Sequence, residues 1–220
     1  MESSVRKANK RYADTSLSLQ AYPPLSESLL QQKRLDKSKT NFLPVFPKEN
    51  ESVKSHHLTI RLLTIDDKAL FIKLFTDEQV TLYTGGKQAI NKAAENFNQS
   101  LLALNKKPNT HITWVAQTPH HKIGIATLTM LPHLPCYAEI GVMFTTENQR
   151  KGFGCQLFTQ LLATAFNLYQ LKAVVCFTEN DNVQVEHILR KYGFEPFKNN
   201  RLNPPSSSGG YWRLTADVTR

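Results

Sequence analysis

No stretch of this 220-residue chain stays apolar for anything near the roughly 18 residues that a membrane helix needs, so no membrane partner is expected. The first residues include Glu2 and Asp14 and lack an apolar leader core, so no secretory signal is expected either. Cysteine is scarce. Cys136, Cys155 and Cys176 are an odd set with no Cys-x-x-Cys spacing, which argues against a disulfide framework or a zinc site. A cytoplasmic location and no metal are the expectation. The histidine pairs His56-His57 and His120-His121 would point to opposite faces of a strand, so neither pair can hold one ion and both read as surface or loop residues. No internal repeat is visible.

What is present describes a folded domain with a tail. Hydrophobic residues make up 40% and charged residues 20%, the balance of an ordinary globular protein. The length suits one well-buried domain and an extension. The net charge is +9, which favours anionic partners such as phosphates or RNA; no DNA-binding motif accompanies it. Residues 1–54 hold ten basic and six acidic residues and are interrupted by Pro23, Pro24, Pro44 and Pro47. They read as a disordered or loosely docked basic extension, able to touch an acidic, ribosomal or RNA-bearing partner. The domain proper is expected over 55–220.

Within it, Leu58, Ile60 and Leu62 alternate as a first strand, and Thr64 with Asp67 forms a capping-box pattern ahead of a helix carrying Leu70, Phe71, Leu74 and Phe75. Gly85-Gly86 breaks the chain. A second helix runs from Ile90 to about Leu104, followed by strands at Ile112–Ala116, Lys122–Met130 and Tyr137–Phe144. A helical pattern from Cys155 to Tyr169, a strand at Leu171–Thr178 and a helix from Asn182 to Tyr192 come next. A closing hairpin would use Phe194–Phe197 and Tyr211–Val218, with the Pro/Ser/Gly-rich loop 203–210 between them. The order is β-α-α-β-β-β-α-β-α-β-β.

The fourth strand and the following helix are joined by Gln149-Arg150-Lys151-Gly152-Phe153-Gly154. A short basic loop at a helix start offers unpaired backbone N–H groups and the positive end of the helix dipole, a natural site for phosphate. Gly152 and Gly154 allow an anion close to the backbone, and φ > 0 is open to them. A Walker loop is excluded, because Gly-Lys-Ser/Thr is missing; the dinucleotide fingerprint is excluded, because Leu157 stands where a third glycine belongs. A plain surface turn remains the alternative.

The pattern Gln/Arg-x-x-Gly-x-Gly/Ala, in that position of that element order, resembles the acyl-CoA pyrophosphate loop of the GNAT N-acetyltransferase superfamily. The chain looks most like its ribosomal-protein (RimJ/RimL-like) branch. Leu58-Thr59-Ile60-Arg61-Leu62, Gly85-Gly86, Trp114-Val115-Ala116, Ile123-Gly124, Glu139-Ile140-Gly141-Val142-Met143 and Lys191-Tyr192-Gly193-Phe194 carry the likeness, which covers about residues 57–218. It implies the acyl-CoA N-acyltransferase fold of the α/β (α+β) class: a mixed central sheet flanked by helices, with a splayed strand pair before the loop. It also implies acetyl-CoA as co-substrate and an amine as acceptor, either a protein N-terminal α-amine or a small amine, in a monomer or homodimer; a CoA-binding module without catalysis is the rival. By the same resemblance Val142, Met143 and Phe144 pair with the pantetheine arm. Gln149, Arg150, Lys151, Gly152, Phe153 and Gly154 hold the pyrophosphate, and Asn182 faces the cofactor near its reactive end. Val185 and Leu189 stand where other branches have a Ser or Ala and a proton-donating Tyr.

Glu139 is the catalytic candidate. An attacking amine must lose a proton, and a carboxylate in a partly dry cleft can accept it. Strand alternation turns Glu139 away from Ile140, Val142 and Phe144. The alternative is a structural carboxylate, with catalysis resting on positioning alone. Cys155, Trp114 and Trp212 read as packing residues.

Overall fold

A computed structural model describes residues 58–106 and 108–216. The extension expected over 1–54, together with His56 and His57, lies outside the described residues.

Seven strands form one sheet in the order β1-β2-β3-β4-β5-β7-β6. Strands β1 (Thr59–Leu62), β2 (His111–Gln117), β3 (Lys122–Met130) and β4 (Tyr137–Phe144) make an antiparallel half. β5 (Ala173–Glu179), β7 (Gly209–Thr215) and β6 (Glu195–Phe197) make a second antiparallel set, and β4 joins β5 in parallel. A parallel step needs a crossover helix, and the segment between β4 and β5 supplies it as α4 (Phe153–Ala163). The expected element order therefore holds, with one addition: a four-residue helix, α2 (Glu78–Thr81), whose start Asp77 caps by accepting from the backbone of Gln79 and Val80.

Strand alternation sorts the apolar residues into two layers. Ile112, Trp114, Leu128 and Ile140 point to one face, where Leu157, Leu161 and Leu162 of α4 and Leu189 of α5 (Val183–Lys191) close the main core. Val115 and Ile125 point to the other, covered by Phe71 and Leu74 of α1 (Lys68–Thr76) and Phe97 of α3 (Ile90–Leu104). Trp114 and Trp212 are buried packing residues, as expected. The long helical pattern after the loop is α4 continued by a π-helical turn, Thr164–Leu168. Among the described residues, no helix is long and apolar enough to cross a membrane.

The start of α1 is locked by charge. The expected capping box forms: the Thr64 backbone N–H and hydroxyl both donate to Asp67 Oδ2, at 2.8 and 3.0 Å. Arg61 at the end of β1 donates to both carboxylate oxygens (2.7 and 2.8 Å), and Lys122 at the start of β3 lies 2.7 Å from Oδ1. The Asp67 side chain is wholly buried. Burial alone would raise its pKa, but the hydrogen bonds from Arg61, Lys122 and Thr64 overcome that and hold it well below the usual carboxylate range. One carboxylate thus ties β1, α1 and β3 together.

Because this pKa is depressed in the folded state, its stabilisation is complete above the unfolded value of about 4 and is lost as pH falls below it. Asp67→Asn is expected to cost about 3 kcal/mol at neutral pH and to flatten the decline of stability below about pH 4. Denaturant melts at pH 7 and pH 3 check this; equal losses at both pH values would show that the charge is not responsible.

Candidate active site

Strands β4 and β5 stay paired for three residues only: Tyr137 with Ala173, Ala138 with Val174 and Glu139 with Val175. Past Glu139 they part. Residues 140–144 of β4 continue to pair with β3, down to Phe144 opposite Gly124. On the side of β4 facing β5, no described strand pairs with this stretch, so its backbone groups border a wedge. The splayed pair implied by the resemblance is therefore present, and Val142, Met143 and Phe144 lie along it. Their side chains pack inward, Val142 on the main core, Met143 on the α1/α3 layer and Phe144 toward the Phe153 ring with centroids 6.4 Å apart. What this stretch offers a ligand is backbone.

The wedge opens toward the loop 149–154. Gln149 ties the loop to the end of β4, donating from Nε2 to the Phe144 carbonyl at 3.2 Å. Arg150 and Gly152 both have positive φ (59° and 81°). Gly152 is the N-cap of α4, and no side chain caps that helix. Left-handed residues spaced this way turn successive N–H groups toward one concavity, the geometry of an anion nest. Arg150, a non-glycine residue, holds this conformation at a cost of roughly 1–2 kcal/mol, the kind of strain that collects at binding sites. Arg150 and Lys151 are exposed and add positive charge. The residues present therefore fit a pyrophosphate. Two details were not legible beforehand. Phe153 is buried, so only its backbone belongs to the loop surface. At Gly154 a β-carbon would come within 3.3 Å of Ile188 Cδ1, so its smallness serves the packing of α4 on α5.

On the β5 side, Asn182 is the N-cap of α5; its Oδ1 accepts from the Val185 backbone N–H at 3.4 Å, and its own N–H donates to the Glu179 carbonyl at 3.0 Å. Leu189, where other branches carry a proton-donating Tyr, is fully buried. Tyr192 does not replace it. Its hydroxyl donates to the Cys155 carbonyl at 2.6 Å and lies 2.9 Å from Thr159 Oγ1, pinning α5 to α4.

Glu139 occupies the last paired position before the strands part. It sits opposite Thr129 on β3, and Thr129 sits opposite His111 on β2, so all three share the face away from Ile140, as expected. His111 was not anticipated. Its Nδ1 lies 2.8 Å from Thr129 Oγ1 and its Nε2 lies 3.2 Å from Thr113 Oγ1. Burial pushes its pKa down to about 4, so the ring is neutral near pH 7. The signal was available: in His111-Ile112-Thr113-Trp114 the polar residues alternate with core residues. The last cysteine, Cys176, is buried; burial first, and then the nearby Glu139 charge, push its thiol up to about 12, which removes it as a nucleophile. His120 and His121 are exposed residues of the β2–β3 turn.

Comparison with known proteins agrees with this geometry. Residues 57–195 match the family model described as "Acetyltransferase (GNAT) domain". Among curated proteins, sequence comparison finds no match. Solved structures do match. The spermidine N-acetyltransferase from Vibrio cholerae, in complex with CoA and spermine, is similar at a TM-score of 0.63 and 18% identity, over 74% of this chain and 97% of that one. An aminoglycoside acetyltransferase in complex with coenzyme A is similar at 0.61 and 19%, over 72% and 94%. A GNAT-family acetyltransferase from Bacillus anthracis is similar at 0.59 and 15%, over 74% and 98%. The family match spans more than half of the chain, and the mixed sheet flanked by helices is the fold of these acetyltransferases: the protein belongs to the GNAT acetyltransferases.

Proposed function

We propose that this chain moves acetyl from acetyl-CoA to a primary amine by direct attack at the β4–β5 fork, with Glu139 taking the amine's proton. The observation that carries the reading is the coincidence of three features: an anion nest at 150–154, a strand edge leading from it, and a carboxylate where that edge ends. Acetyl-CoA, when bound, supplies the thioester carbonyl that the amine attacks. The N–H groups from Arg150 to Gly154, with the Arg150 and Lys151 charges, hold the pyrophosphate. Gln149 shapes the loop, and the backbone of Val142, Met143 and Phe144 aligns the pantetheine arm. Asn182, at the start of α5, lies across the fork from this edge.

An ammonium group cannot attack, because its lone pair is occupied. Glu139 accepts the proton directly or through one water, and general-base help of this kind is worth about 10²–10⁴-fold. Leu189 stands where other branches carry the Tyr acid, so this position supplies no proton to the leaving thiolate. For the acceptor we favour a protein N-terminal α-amine, on the likeness to the ribosomal-protein branch. A small amine such as an amino acid, polyamine or aminoglycoside is the second reading, since spermidine and aminoglycoside acetyltransferases share this fold. A cytoplasmic setting, and a ribosome or RNA contact through residues 1–54, belong to the same proposal.

For the loop, Arg150→Ala with Lys151→Ala is expected to weaken CoA about tenfold or more through lost charge-assisted bonds, with little change in melting temperature. Calorimetry with CoA reads this, and an unchanged affinity would remove the pyrophosphate assignment. For the acid-base step, Glu139→Gln should leave acetyl-CoA affinity intact, lower kcat by about 10²-fold or more and abolish the acidic limb of the rate profile. Acetyl-CoA consumption is to be followed with a panel of N-terminal peptides, amino acids, spermidine and an aminoglycoside. Peptide turnover supports the first acceptor reading and small-amine turnover the second. CoA binding without any turnover would make the protein a binding module.

A further inference from the structure

Glu139 has a companion that the reaction scheme above does not use. His111 lies one strand beyond Thr129, on the row that runs His111, Thr129, Glu139 across β2, β3 and β4. Both ring nitrogens face hydroxyls: Nδ1 lies 2.8 Å from Thr129 Oγ1 and Nε2 lies 3.2 Å from Thr113 Oγ1. Thr113 is fully buried, so the far end of this line is fixed. A neutral imidazole has one donor and one acceptor, and each threonine hydroxyl can play either part. Either tautomer satisfies both contacts, but only the one protonated at Nδ1 makes Thr129 Oγ1 the acceptor and leaves its single proton free to point elsewhere; in both, the ring fixes the place of Thr129 Oγ1. Directly opposed residues of an antiparallel pair have β-carbons about 4.5–5.5 Å apart, so a hydroxyl held at 129 is within reach of a carboxylate at 139, directly or through one water.

The neighbouring position fits the same purpose. Gly141, two residues on from Glu139 on the same face, has no side chain, and a β-carbon there would come within 2.8 Å of Thr127 Oγ1. The Thr127 hydroxyl therefore takes the place that a side chain at 141 would fill, and it adds a second threonine hydroxyl to the face that carries Glu139. Burying the Thr113 hydroxyl and half-burying an imidazole costs free energy that an apolar pair at 111 and 113 would avoid. A polar line aimed at the fork has a use where the carboxylate must be held in one orientation.

We infer that His111 is a positioning residue for Glu139, acting through the Thr129 hydroxyl and anchored by Thr113. This rests on the reading of Glu139 as the proton acceptor, but it is tested separately. On this inference the Thr129 hydroxyl, accepting from His111 Nδ1–H, donates its own proton toward the charged form of Glu139, so removing the hydroxyl or its support would destabilise the carboxylate. Besides Thr129 on β3, Glu139 faces Val175 on β5; Cys176 is the nearby titratable group, and Arg213 lies two strands away on the same row.

The test is the titration of the Glu139 side-chain carboxyl by carbon NMR in the full-length protein. Thr129→Val and His111→Leu are each expected to move its midpoint upward by about one pH unit, and Thr129→Ser to restore the wild-type value. The double variant should go no further than the larger single, because both changes cut one line. His111→Gln, which keeps a polar group in the cavity, serves if His111→Leu does not fold. With a serine-initiated peptide and spermidine as probe amines, kcat should fall about tenfold in Thr129→Val while KM for acetyl-CoA is unchanged. An unmoved Glu139 midpoint in folded Thr129→Val, or additive shifts in the double variant, overturns the proposal. If Glu139→Gln keeps its full rate while the coupled shifts are still seen, the proton-acceptor reading fails and the positioning of Glu139 by His111 stands.

Discussion

The three paired residues between β4 and β5 are the constraint on which the architecture turns. They are the one parallel contact among the described strands and the sole sheet pairing between the two antiparallel halves. Had the pairing run on to Phe144, the β4 edge would be satisfied by β5 and nothing could be inserted. Had it been absent, Glu139 would have no rigid floor. An incomplete ladder leaves backbone donors and acceptors bordering a cleft, and such groups are costly unless water or a ligand meets them. The helices hold the halves in this arrangement from one side: α4 crosses from the loop to β5, and Tyr192 of the α5 end bonds to its first turn.

How far this was legible in the sequence depended on what each feature needs. Elements with strict periodicity were readable almost to the residue. Ile90–Leu104, Lys122–Met130 and Tyr137–Phe144 emerge at the expected bounds, and the Thr64/Asp67 pair forms its capping box. The short α2 was missed because four residues carry no period; only Asp77 as a cap announces it. The fork was reached through resemblance alone, since no residue pattern says that two strands separate after three pairs. Its cause is a register, and register is a property of two segments that meet only in the fold.

The site shows the same division. Gly152 could be read as a residue able to take positive φ, because glycine does so freely. Arg150 could not, because an arginine in that region pays the steric penalty of its own β-carbon, and only the surrounding loop holds it there. Gly154 looked like a second concession to an anion, and its tight neighbour is instead Ile188 on a helix nearly thirty residues further on. Glu139 was placed on the right face by alternation. His111 escaped notice because its meaning lies in Thr129 and Thr113, which are ordinary strand residues until the sheet sets them beside it.

The titratable groups of the domain show why burial takes opposite directions at neighbouring places. Asp67 is buried among donors and stays charged, far below its ordinary range, because Arg61, Lys122 and Thr64 all favour the ionised form. His111 is half-buried between hydroxyls that favour no charge, and it stays neutral. Cys176 is buried near a carboxylate and keeps its proton. Each group is locked in one state near neutral pH, one as a charge and two without. Under the proposed mechanism the acid-base change falls to Glu139 at the fork, beside Gly141, whose missing side chain makes room for the Thr127 hydroxyl. On that proposal a proton can move at Glu139 while Asp67 keeps its charge and Cys176 keeps its proton.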